Sequence, residues 1–387
     1  MPILNRVAEM HDEITGWRRH LHTIPEILYD VHQTAAFVAE RLKEFGCDDV
    51  VTGIGKTGVV GIIKGNLGDG PAVGLRADMD ALPLNEITGK DWASKTPNQM
   101  HACGHDGHTA MLLGAAKYLA ETRNFKGSVA VIFQPAEEGG AGGDAMVKDG
   151  MMDRFGIKTV FGMHNMPGLP VGQFAIRPGP AMAATAEFWI VVKGKGGHAA
   201  MPHGTVDPIV IGSQVVTALQ TIASRSIDPI DSVVVSVTKF HGGDAFNIIP
   251  EQVELNGTIR ILRTEVGEAA AKRMREICEG IAAAHGASVD VKIDFNYPVT
   301  FNHPEETDFA AGVAKAVAGD PNVDTDVLPV MGGEDFSYML EARPGAFIFM
   351  GNGDTANLHN PAYDFNDEAI PHGVSYWVRL AETALAA

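Results

Sequence analysis

The chain has 387 residues, more than one ordinary hydrophobic core accommodates, and its length therefore predicts two domains. With 45% hydrophobic and 20% charged residues the composition is that of a globular protein, and the formal net charge of -18 argues against binding to nucleic-acid phosphates or anionic membranes. Three cysteines at long spacings favour reduced thiols in a cytoplasm over a disulfide framework. The amino terminus has no apolar segment, so we expect neither a signal peptide nor a membrane-spanning helix.

The first part of the chain alternates helices with short apolar strands. Apolar residues have helical spacing from about residue 5 to residue 45, with a break at Pro25, and Gly46 ends this stretch. Strands are predicted at residues 59–63, 71–75, 128–133 and 159–163, with a helix at residues 108–122. The alternation predicts an α/β fold with a mixed, largely parallel sheet flanked by helices, whose ligand site lies beyond the carboxyl ends of the strands.

From about residue 185 the order of the predicted elements changes. A strand at 188–192 is followed by a helix at 208–224, strands at 232–240 and 252–262, a helix at 265–285 and a strand at 288–295. This β-α-β-β-α-β order is typical of ferredoxin-like domains. Helix and strand alternation then resumes, at residues 308–318, 345–350 and 373–386. We therefore predict a discontinuous domain of residues 1–184 and 299–387, with residues 185–298 inserted as a smaller domain.

Residues 53–58, GIGKTG, satisfy the G-x-G-x-x-G pattern but do not predict nucleotide binding. A dinucleotide-binding loop must open a helix, whereas residues 59–63 have the pattern of a strand. A phosphate-binding P-loop would need a glycine at position 50, which is Val50. We therefore expect no nucleotide cofactor at this segment.

Residues 103–109, CGHDGHT, combine a thiol, two imidazoles and a carboxylate with two glycines. These are the side-chain groups that bind zinc and related ions, and glycine allows a tight turn. The segment directly precedes a predicted helix, while two predicted strands lead into Glu137-Glu138 and into His164. The sequence therefore predicts a metal site at the carboxyl edge of the sheet.

Adjacent carboxylates at Glu137 and Glu138 could supply one metal ligand and one proton acceptor. Consecutive residues of an extended segment point to opposite sides, so one carboxylate can bind metal while the other faces a water molecule. Metal binding can lower the pKa of that water from about 15.7 to about 7. Asp78 and Asp80 also follow a strand, and one of them could hold an imidazole ligand in its proper tautomer.

Other functions are compatible with parts of this pattern. Cys103 could act as a nucleophile with His105 or His108 as its base, in a thiol hydrolase or redox enzyme, but Glu137, Glu138 and His164 would then have no role. A non-catalytic metal-binding or amino-acid-binding module is a third possibility, against which the paired glutamates argue. The chain has neither a G-x-S-x-G motif nor an H-E-x-x-H motif.

Six motifs lie in order along nearly the whole chain: RRHLHTIPE (18–26), LRADMDALP (75–83), MHACGHDGH (100–108), QPAEE (134–138), GGHAAMPH (196–203) and GGEDF (332–336). Taken in this order, they resemble the co-catalytic metallopeptidase family that includes aminoacylase, glutamate carboxypeptidase and succinyl-diaminopimelate desuccinylase. Within it the chain is most similar to the amidohydrolase branch of hippurate hydrolases, N-acetyl amino acid deacetylases and indole-acetyl amino acid hydrolases.

The resemblance implies two divalent metal ions per subunit. It implies Glu137 as general base and then general acid, with Asp80 in an orienting position of the catalytic site. Other branches have His-x-Asp where this chain has Asp78-Met79-Asp80, so we expect Cys103 to compensate for a missing histidine ligand. Zinc or manganese is expected, with cobalt and nickel also compatible, and the division of ligands between the two ions stays open. The implied metal ligands are Cys103, His105, Glu138, His164 and His359.

The resemblance also implies a reaction and a role for the inserted domain. We expect a metal-dependent amidohydrolase that cleaves N-acyl amino acids, hippurate-like or N-acetylated, into a carboxylic acid and a free amino acid. A dipeptidase or carboxypeptidase with the same two-metal site is the alternative. Residues 185–298 would form a lid and dimerisation domain, in which His198 stabilises the tetrahedral intermediate while Asn247 and Arg260 hold the substrate carboxylate. We expect a cytoplasmic homodimer or higher homo-oligomer.

Overall fold

The computed structural model describes residues 3–386, which form two compact units. The large unit comprises the described residues within Met1–Ala181, Phe301–Leu328 and Asp335–Ala387, and the inserted unit comprises Met182–Thr300 and Pro329–Glu334. The helices are α1 (Asn5–Glu9), α2 (His11–Thr23), α3 (His32–Glu44), α4 (His105–Thr122), α5 (Gly142–Lys148), α6 (Met151–Arg154), α7 (Pro208–Leu219), α8 (Thr264–Ala284), α9 (Pro304–Ala318), α10 (Ser337–Ala342) and α11 (Ile370–Ala384). The strands are β1 (Asp49–Ile54), β2 (Gly58–Lys64), β3 (Ala72–Asp78), β4 (Ser128–Gln134), β5 (Ile157–Pro167), β6 (Phe174–Ala175), β7 (Gly179–Met182), β8 (Ala184–Lys193), β9 (Gly197–His198), β10 (Val233–His241), β11 (Ile248–Ile249), β12 (Gln252–Ile261), β13 (Ser288–Phe295), β14 (Thr300–Asn302), β15 (Val323–Asp324) and β16 (Gly345–Gly353).

A mixed eight-stranded sheet forms the centre of the large unit, in the order β1-β2-β4-β3-β5-β16-β6-β15. The central strands β4, β3, β5 and β16 are parallel, whereas β1, β2 and β6 add antiparallel pairings. Helix α4 packs against α2 and α11, and α9 packs against α11 and β16. This architecture confirms the predicted α/β class with a mixed, largely parallel sheet flanked by helices.

Apolar residues fill the central strands because these strands are buried on both faces. In β4 every residue after Ser128 is buried, and β3 is buried along its whole length. Helix α4 is buried on nearly all sides through its middle turns, where Leu112 and Leu113 are inaccessible to solvent. Each such side chain stabilises the fold by roughly 1.5–3 kcal/mol relative to leaving it exposed.

The parallel strands bring polar residues to one edge of the sheet. Strand β3 ends on Asp78, which pairs in register with Gln134 at the end of β4. Two residues earlier Arg76 pairs with Gly162 of β5, and continuing that register places His164 level with Asp78. Helix α4 starts three residues earlier than predicted, at His105, and so contributes its first turn to the same edge.

The inserted unit has the predicted β-α-β-β-α-β order in β8, α7, β10, β12, α8 and β13. Its four long strands form an antiparallel sheet in the order β10-β12-β8-β13. Phe188, Ile190 and Leu255 lie in a separate core of this unit. The predicted helix at 208–224 is shorter in the structure, because α7 ends at Leu219 and a π-helical turn, Ile222–Ser226, follows.

Some elements were not anticipated because their local sequence does not favour them. Glycine has low helix propensity, yet α5 begins at Gly142 and Gly143. A Cβ at Gly143 would lie 2.7 Å from the Asp335 carbonyl oxygen, so glycine is needed for this close packing. The GIGKTG segment forms the turn between the antiparallel strands β1 and β2 rather than the start of a helix. Among residues 3–386, no helix combines the length and apolar character that crossing a membrane requires.

Arg18 is a fully buried cation that joins α2 to the chain near α11. Its guanidinium donates to Asp367 at 2.7 Å, to Asp364 at 3.0 Å and to the Phe365 carbonyl at 2.7 Å, and it lies 3.7 Å from Asp106. Removing one partner of a buried ionic cluster leaves the others uncompensated. The arginine of the first motif therefore has a structural function in this network.

We expect Arg18→Met to lower the free energy of unfolding by about 3–5 kcal/mol, because three carboxylates lose their buried cation. Arg19→Met is the matched control, since Arg19 is 41% exposed and its ion pair with Asp367 contributes about 1 kcal/mol or less. Chemical denaturation followed by circular dichroism measures both variants. Equal losses of stability would contradict the assignment of Arg18.

Candidate metal centre

Potential metal ligands converge from four segments of the large unit. Cys103 precedes α4, His105 is its first residue, Glu138 follows β4, and His164 lies within β5. The backbone at Gly104 has φ +89°, a left-handed conformation that favours glycine, and this turn lets Cys103 and His105 face the same space. The donor atoms of Cys103, His105 and His164 all lie within 4.8 Å of one another.

The Cys103 thiol and the His164 imidazole are in contact within this group. Cys103 Sγ lies 3.4 Å from His164 Nε2. The opposite ring nitrogen of His164, Nδ1, donates to the Asn165 carbonyl oxygen at 2.6 Å, which leaves Nε2 as the nitrogen with an available lone pair. The hydrogen bonds therefore present His164 as a neutral ligand that faces the thiol.

A second group of donor atoms contains Cys103, Glu138 and His359. His359 Nε2 lies 3.2 Å from Glu138 Oε1. The backbone of His359 is left-handed, with φ +61°, and its N–H donates to the Ala102 carbonyl at 2.8 Å. A non-glycine residue in this conformation is held by its surroundings at an energetic cost, as is common in functional sites. Cys103 belongs to both groups of donors.

Glu137 and Glu138 lie in a tight turn, so the prediction that they occupy an extended segment is wrong. Ala136 before them is left-handed, with φ +56°, and its carbonyl accepts from the N–H of Gly140 at 3.2 Å. The turn, rather than strand alternation, separates the two carboxylates. Donor oxygens of both still lie within 4.8 Å of a ring nitrogen of His105.

Asp80 holds this turn in place. Its carboxylate oxygens accept from the backbone N–H of Glu137 at 3.0 Å and from that of Glu138 at 3.1 Å. Its backbone carbonyl lies 2.8 Å from His105 Nδ1, and its carboxylate is 3.5 Å from the same nitrogen. Asp80 therefore orients the glutamate turn through its side chain and His105 mainly through its main chain.

Asp78 and His108 are occupied by other partners. Asp78 accepts from Arg76 at 2.8 Å and from His108 Nδ1 at 2.6 Å. His108 Nε2 accepts from the backbone and side-chain N–H groups of Asn165, both at 3.0 Å. Since neither His108 nitrogen has a lone pair to spare, the geometry argues against His108 as a metal ligand although it lies in the histidine-rich motif.

Burial and neighbouring charges set the protonation of the ligand candidates. Burial raises the pKa of the Cys103 thiol well above its ordinary value, and the carboxylates of Glu138 and Glu137 raise it further. Burial works to lower the pKa of His105, but the carboxylates of Asp78 and Asp80 outweigh it and raise this pKa to about 10.

The pKa values of two other ligand candidates, His164 and Glu138, are lowered. Burial lowers the pKa of His164 well below its ordinary value, so this imidazole is neutral. Burial works to raise the pKa of Glu138, but its contact with His359 and the charge of His105 outweigh burial and lower it. A neutral imidazole and a carboxylate are the forms that bind metal.

The donor atoms fit divalent metal ions. In the described part of the chain His105 Nε2 is buried without a hydrogen-bond partner, and an oxygen of Asp78 at 3.6 Å is too distant to serve as one. A buried polar nitrogen without a partner destabilises the fold unless a ligand satisfies it. Sulfur, imidazole and carboxylate together form a donor set that suits zinc or another transition metal.

The predicted substrate-binding residues lie in the inserted unit. His198 and Asn247 belong to neighbouring segments, because β9 pairs with β11 and the Ala199 N–H donates to the Asn247 carbonyl at 3.0 Å. Both residues are exposed. Arg260 lies on β12, where its guanidinium bonds to Thr258 and to the Ile259 carbonyl, and burial lowers its pKa.

Two buried residues of the centre were not anticipated, Asn165 and Tyr363. The Asn165 amide donates to the Cys103 carbonyl at 2.6 Å, and the Tyr363 hydroxyl donates to the Asn165 amide oxygen at 2.8 Å. The signal in the sequence was the position of Asn165 directly after His164, near the carboxyl end of a strand. Tyr363 follows His359 by four residues but has no recognisable local signal.

The chain is similar to known metallopeptidases and amide hydrolases along most of its length. The model of peptidase family M20/M25/M40 matches residues 74–383. Hippurate hydrolase of Campylobacter jejuni is 42% identical over 381 residues, 98% of this chain and 99% of that protein. Thermostable carboxypeptidase 2 of Saccharolobus solfataricus is 44% identical over 352 residues, 90% of this chain and 88% of that protein. The crystal structure of Bacillus subtilis YxeP, described as a dinuclear metal-binding peptidase, is 35% identical, with a TM-score of 0.86 and coverage of 98% of this chain and 99% of that chain.

Proposed function

The chain belongs to peptidase family M20/M25/M40, and on that premise we propose that it is a metal-dependent amidohydrolase of N-acyl amino acids. Its products would be a carboxylic acid and a free amino acid. The observation that carries the proposal is the donor set of Cys103, His105, Glu138, His164 and His359 beside Glu137. Membership of the family confirms the resemblance inferred from the motifs.

We propose that this donor set holds two divalent ions. Support comes from the two overlapping donor groups, which share Cys103, and from the buried His105 nitrogen that has no partner among residues 3–386. YxeP, the similar protein of known structure, is itself described as dinuclear. Bound divalent ions supply Lewis acidity, which polarises a carbonyl group and lowers the pKa of water. The soft thiolate favours zinc, while the imidazole and carboxylate ligands also suit manganese, cobalt or nickel.

Glu137 is the proposed proton carrier. It lies next to the ligand candidate Glu138, and its backbone N–H is fixed by Asp80 at 3.0 Å. A buried carboxylate in this position can take a proton from the attacking water and later deliver it to the leaving amine. Asp80 would hold the turn rigid while the proton moves.

Hippurate-like and N-acetyl amino acids are the proposed substrates. The support is the similarity to a hippurate hydrolase along nearly the whole of both chains. In the inserted unit, His198 would donate to the tetrahedral intermediate, while Asn247 and Arg260 would bind the substrate carboxylate. We propose that this unit acts as a lid and dimerisation domain. This proposal is supported by the observation that the inserted unit has a sheet and a hydrophobic core of its own.

A carboxypeptidase or dipeptidase is the second candidate, favoured by the 44% identity to a thermostable carboxypeptidase. It would use the same residues on a substrate whose acyl group is a peptide. We also propose a cytoplasmic location, for which the support is that Cys47, Cys103 and Cys278 are all free thiols. A homodimer or higher homo-oligomer is proposed as well. Sedimentation of the purified protein measures the oligomeric state.

We expect N-acetylmethionine and hippurate to be hydrolysed with at least about tenfold higher kcat/KM than alanylmethionine. The free ammonium group of the dipeptide would lose its hydration close to two divalent cations, which repel it. Initial rates of the metal-loaded enzyme on these substrates, and on a benzyloxycarbonyl dipeptide, measure the preference. Faster hydrolysis of alanylmethionine would favour the dipeptidase, and faster hydrolysis of the blocked dipeptide would favour the carboxypeptidase.

A further inference from the structure

We propose that Asn165 is a positioning residue that sets the separation of Cys103 and His164 in the metal centre. The inference rests on the proposed metal-binding function and adds to it a residue that is not itself a ligand. Asn165 is inaccessible to solvent and directly follows His164 in β5. Its position in the chain and its hydrogen bonds connect the two parts of the centre that supply sulfur and imidazole.

Asn165 fixes the orientation of the His164 ring through its main chain. The Asn165 carbonyl accepts from His164 Nδ1 at 2.6 Å, so the other ring nitrogen faces the thiol. The Asn165 N–H donates to His108 Nε2 at 3.0 Å, which anchors the same peptide segment to helix α4. The orientation of the His164 imidazole is therefore fixed by the main chain of the next residue, Asn165.

The side chain of Asn165 fixes the position of the Cys103 peptide group. Its Nδ2 group donates one hydrogen to the Cys103 carbonyl at 2.6 Å and the other to His108 Nε2 at 3.0 Å. Its Oδ1 accepts from the Tyr363 hydroxyl at 2.8 Å. Every polar group of Asn165 is thereby used, and the Cys103 peptide is tied to the same residue that orients His164.

The chemistry of these partners requires an amide. His108 Nε2 accepts from the Asn165 backbone N–H at 3.0 Å, so the ring proton of His108 is on Nδ1, which donates to Asp78 at 2.6 Å. The position facing Cys103 and His108 must supply two donors, and the position facing Tyr363 must accept. An aspartate would place an acceptor against the Cys103 carbonyl. A leucine would remove the side-chain partner of the Cys103 carbonyl and of the Tyr363 hydroxyl, while the backbone N–H at position 165 would still donate to His108 Nε2.

Close packing makes the arrangement stiff. A Cβ added at Gly104 would lie 2.4 Å from Asn165 Nδ2 and 2.4 Å from the Tyr363 hydroxyl oxygen. The amide therefore rests directly on the backbone of the turn between Cys103 and His105. A shift of the amide moves the turn that carries the thiol, so the separation of sulfur and imidazole follows the position of Asn165.

The test compares Asn165→Leu with wild-type enzyme loaded with zinc or with cobalt. We expect Asn165→Leu to weaken metal affinity by about 10–100-fold, the usual effect of removing a partner that orients a ligand. In the cobalt form we expect a shift of the thiolate-to-cobalt absorption band, because that band depends on the position of the sulfur. Tyr363→Phe removes only the bond to Oδ1 and should give a smaller change in the same direction. Tyr376→Phe is the matched control, since Tyr376 is a buried tyrosine that packs on Phe174.

Each outcome decides the inference. A general loss of stability with unchanged affinity and absorption would show a merely structural role and would overturn it. If Asn165→Leu does not fold, Tyr363→Phe decides, and an absorption band identical to that of Tyr376→Phe overturns the proposal. Wild-type enzyme that binds no metal would instead contradict the proposed function, whatever the variants do.

Discussion

Glu137→Gln should retain metal and lose hydrolysis, with kcat lower by about 10²–10⁴-fold. Glutamine has the shape of glutamate but does not accept a proton as a base, so the variant removes proton transfer while the turn persists. The bonds from Asp80 to the turn involve the backbone N–H groups of Glu137 and Glu138, which the substitution leaves in place. Steady-state rates on hippurate and N-acetylmethionine, with metal content from elemental analysis, measure the effect.

Glu138→Gln is the matched comparison, because it changes the neighbouring carboxylate of the same turn. Glu138 belongs to donor groups with Cys103, His359 and His105, and its pKa is lowered, as suits a ligand. We therefore expect Glu138→Gln to lose metal together with activity. If Glu137→Gln turns over normally, Glu137 is not the proton carrier. If both variants lose metal equally, the separation of roles within the turn is wrong.

The fold was predictable where the pattern of apolar residues is strong and glycine or proline marks the ends of the elements. The buried strands at 59–63 and 128–133 have continuous apolar runs, and the structure contains β2 and β4 there. The two-residue strands β6, β9, β11 and β15 were not predictable, because such short pairings depend on tertiary neighbours rather than on local pattern. Helix α5 was not predicted because it begins with two glycines, which have low helix propensity. Gly143 is needed there for close packing against Asp335.

The chemistry of the site was more predictable from motifs than its geometry. Thiol, imidazole and carboxylate residues within CGHDGHT and QPAEE indicate metal binding by residue type alone. The left-handed Ala136 and the hydrogen bonds of Asn165 have no comparable signature, because they depend on which strands lie side by side. His108 is a further example: the residue types of the motif alone do not separate it from His105, whereas its bonds to Asp78 and Asn165 argue against a ligand role.

Removing the divalent ions with a chelator should abolish hydrolysis, and metal affinity should rise with pH. In the metal-free protein burial and nearby carboxylates raise the pKa of Cys103 well above its ordinary value, and carboxylates raise the pKa of His105 to about 10. Both groups therefore carry a proton at neutral pH, and binding requires a thiolate and a neutral imidazole. Each proton released makes the affinity rise about tenfold per pH unit, so two protons give about 100-fold.

The pH dependence of metal affinity distinguishes the contribution of Cys103 from that of His105. Removal of the metal tests the alternative in which Cys103 is a nucleophile. Affinity measured by metal-buffered titration between about pH 6 and pH 8 should have a slope of at least about two in the wild type, and a slope lower by about one in Cys103→Ala, because that variant has one proton fewer to release. The contact with Glu138 also raises the pKa of His359, which adds to the slope of both proteins. The sign follows from raised pKa values: at low pH protons compete with metal, and at higher pH, toward the pKa of His105, that competition fades. Readdition of zinc or manganese should restore hydrolysis in the chelated wild type. Hydrolysis that survives complete metal removal would instead favour Cys103 as a nucleophile, and an affinity independent of pH would exclude both residues as ligands.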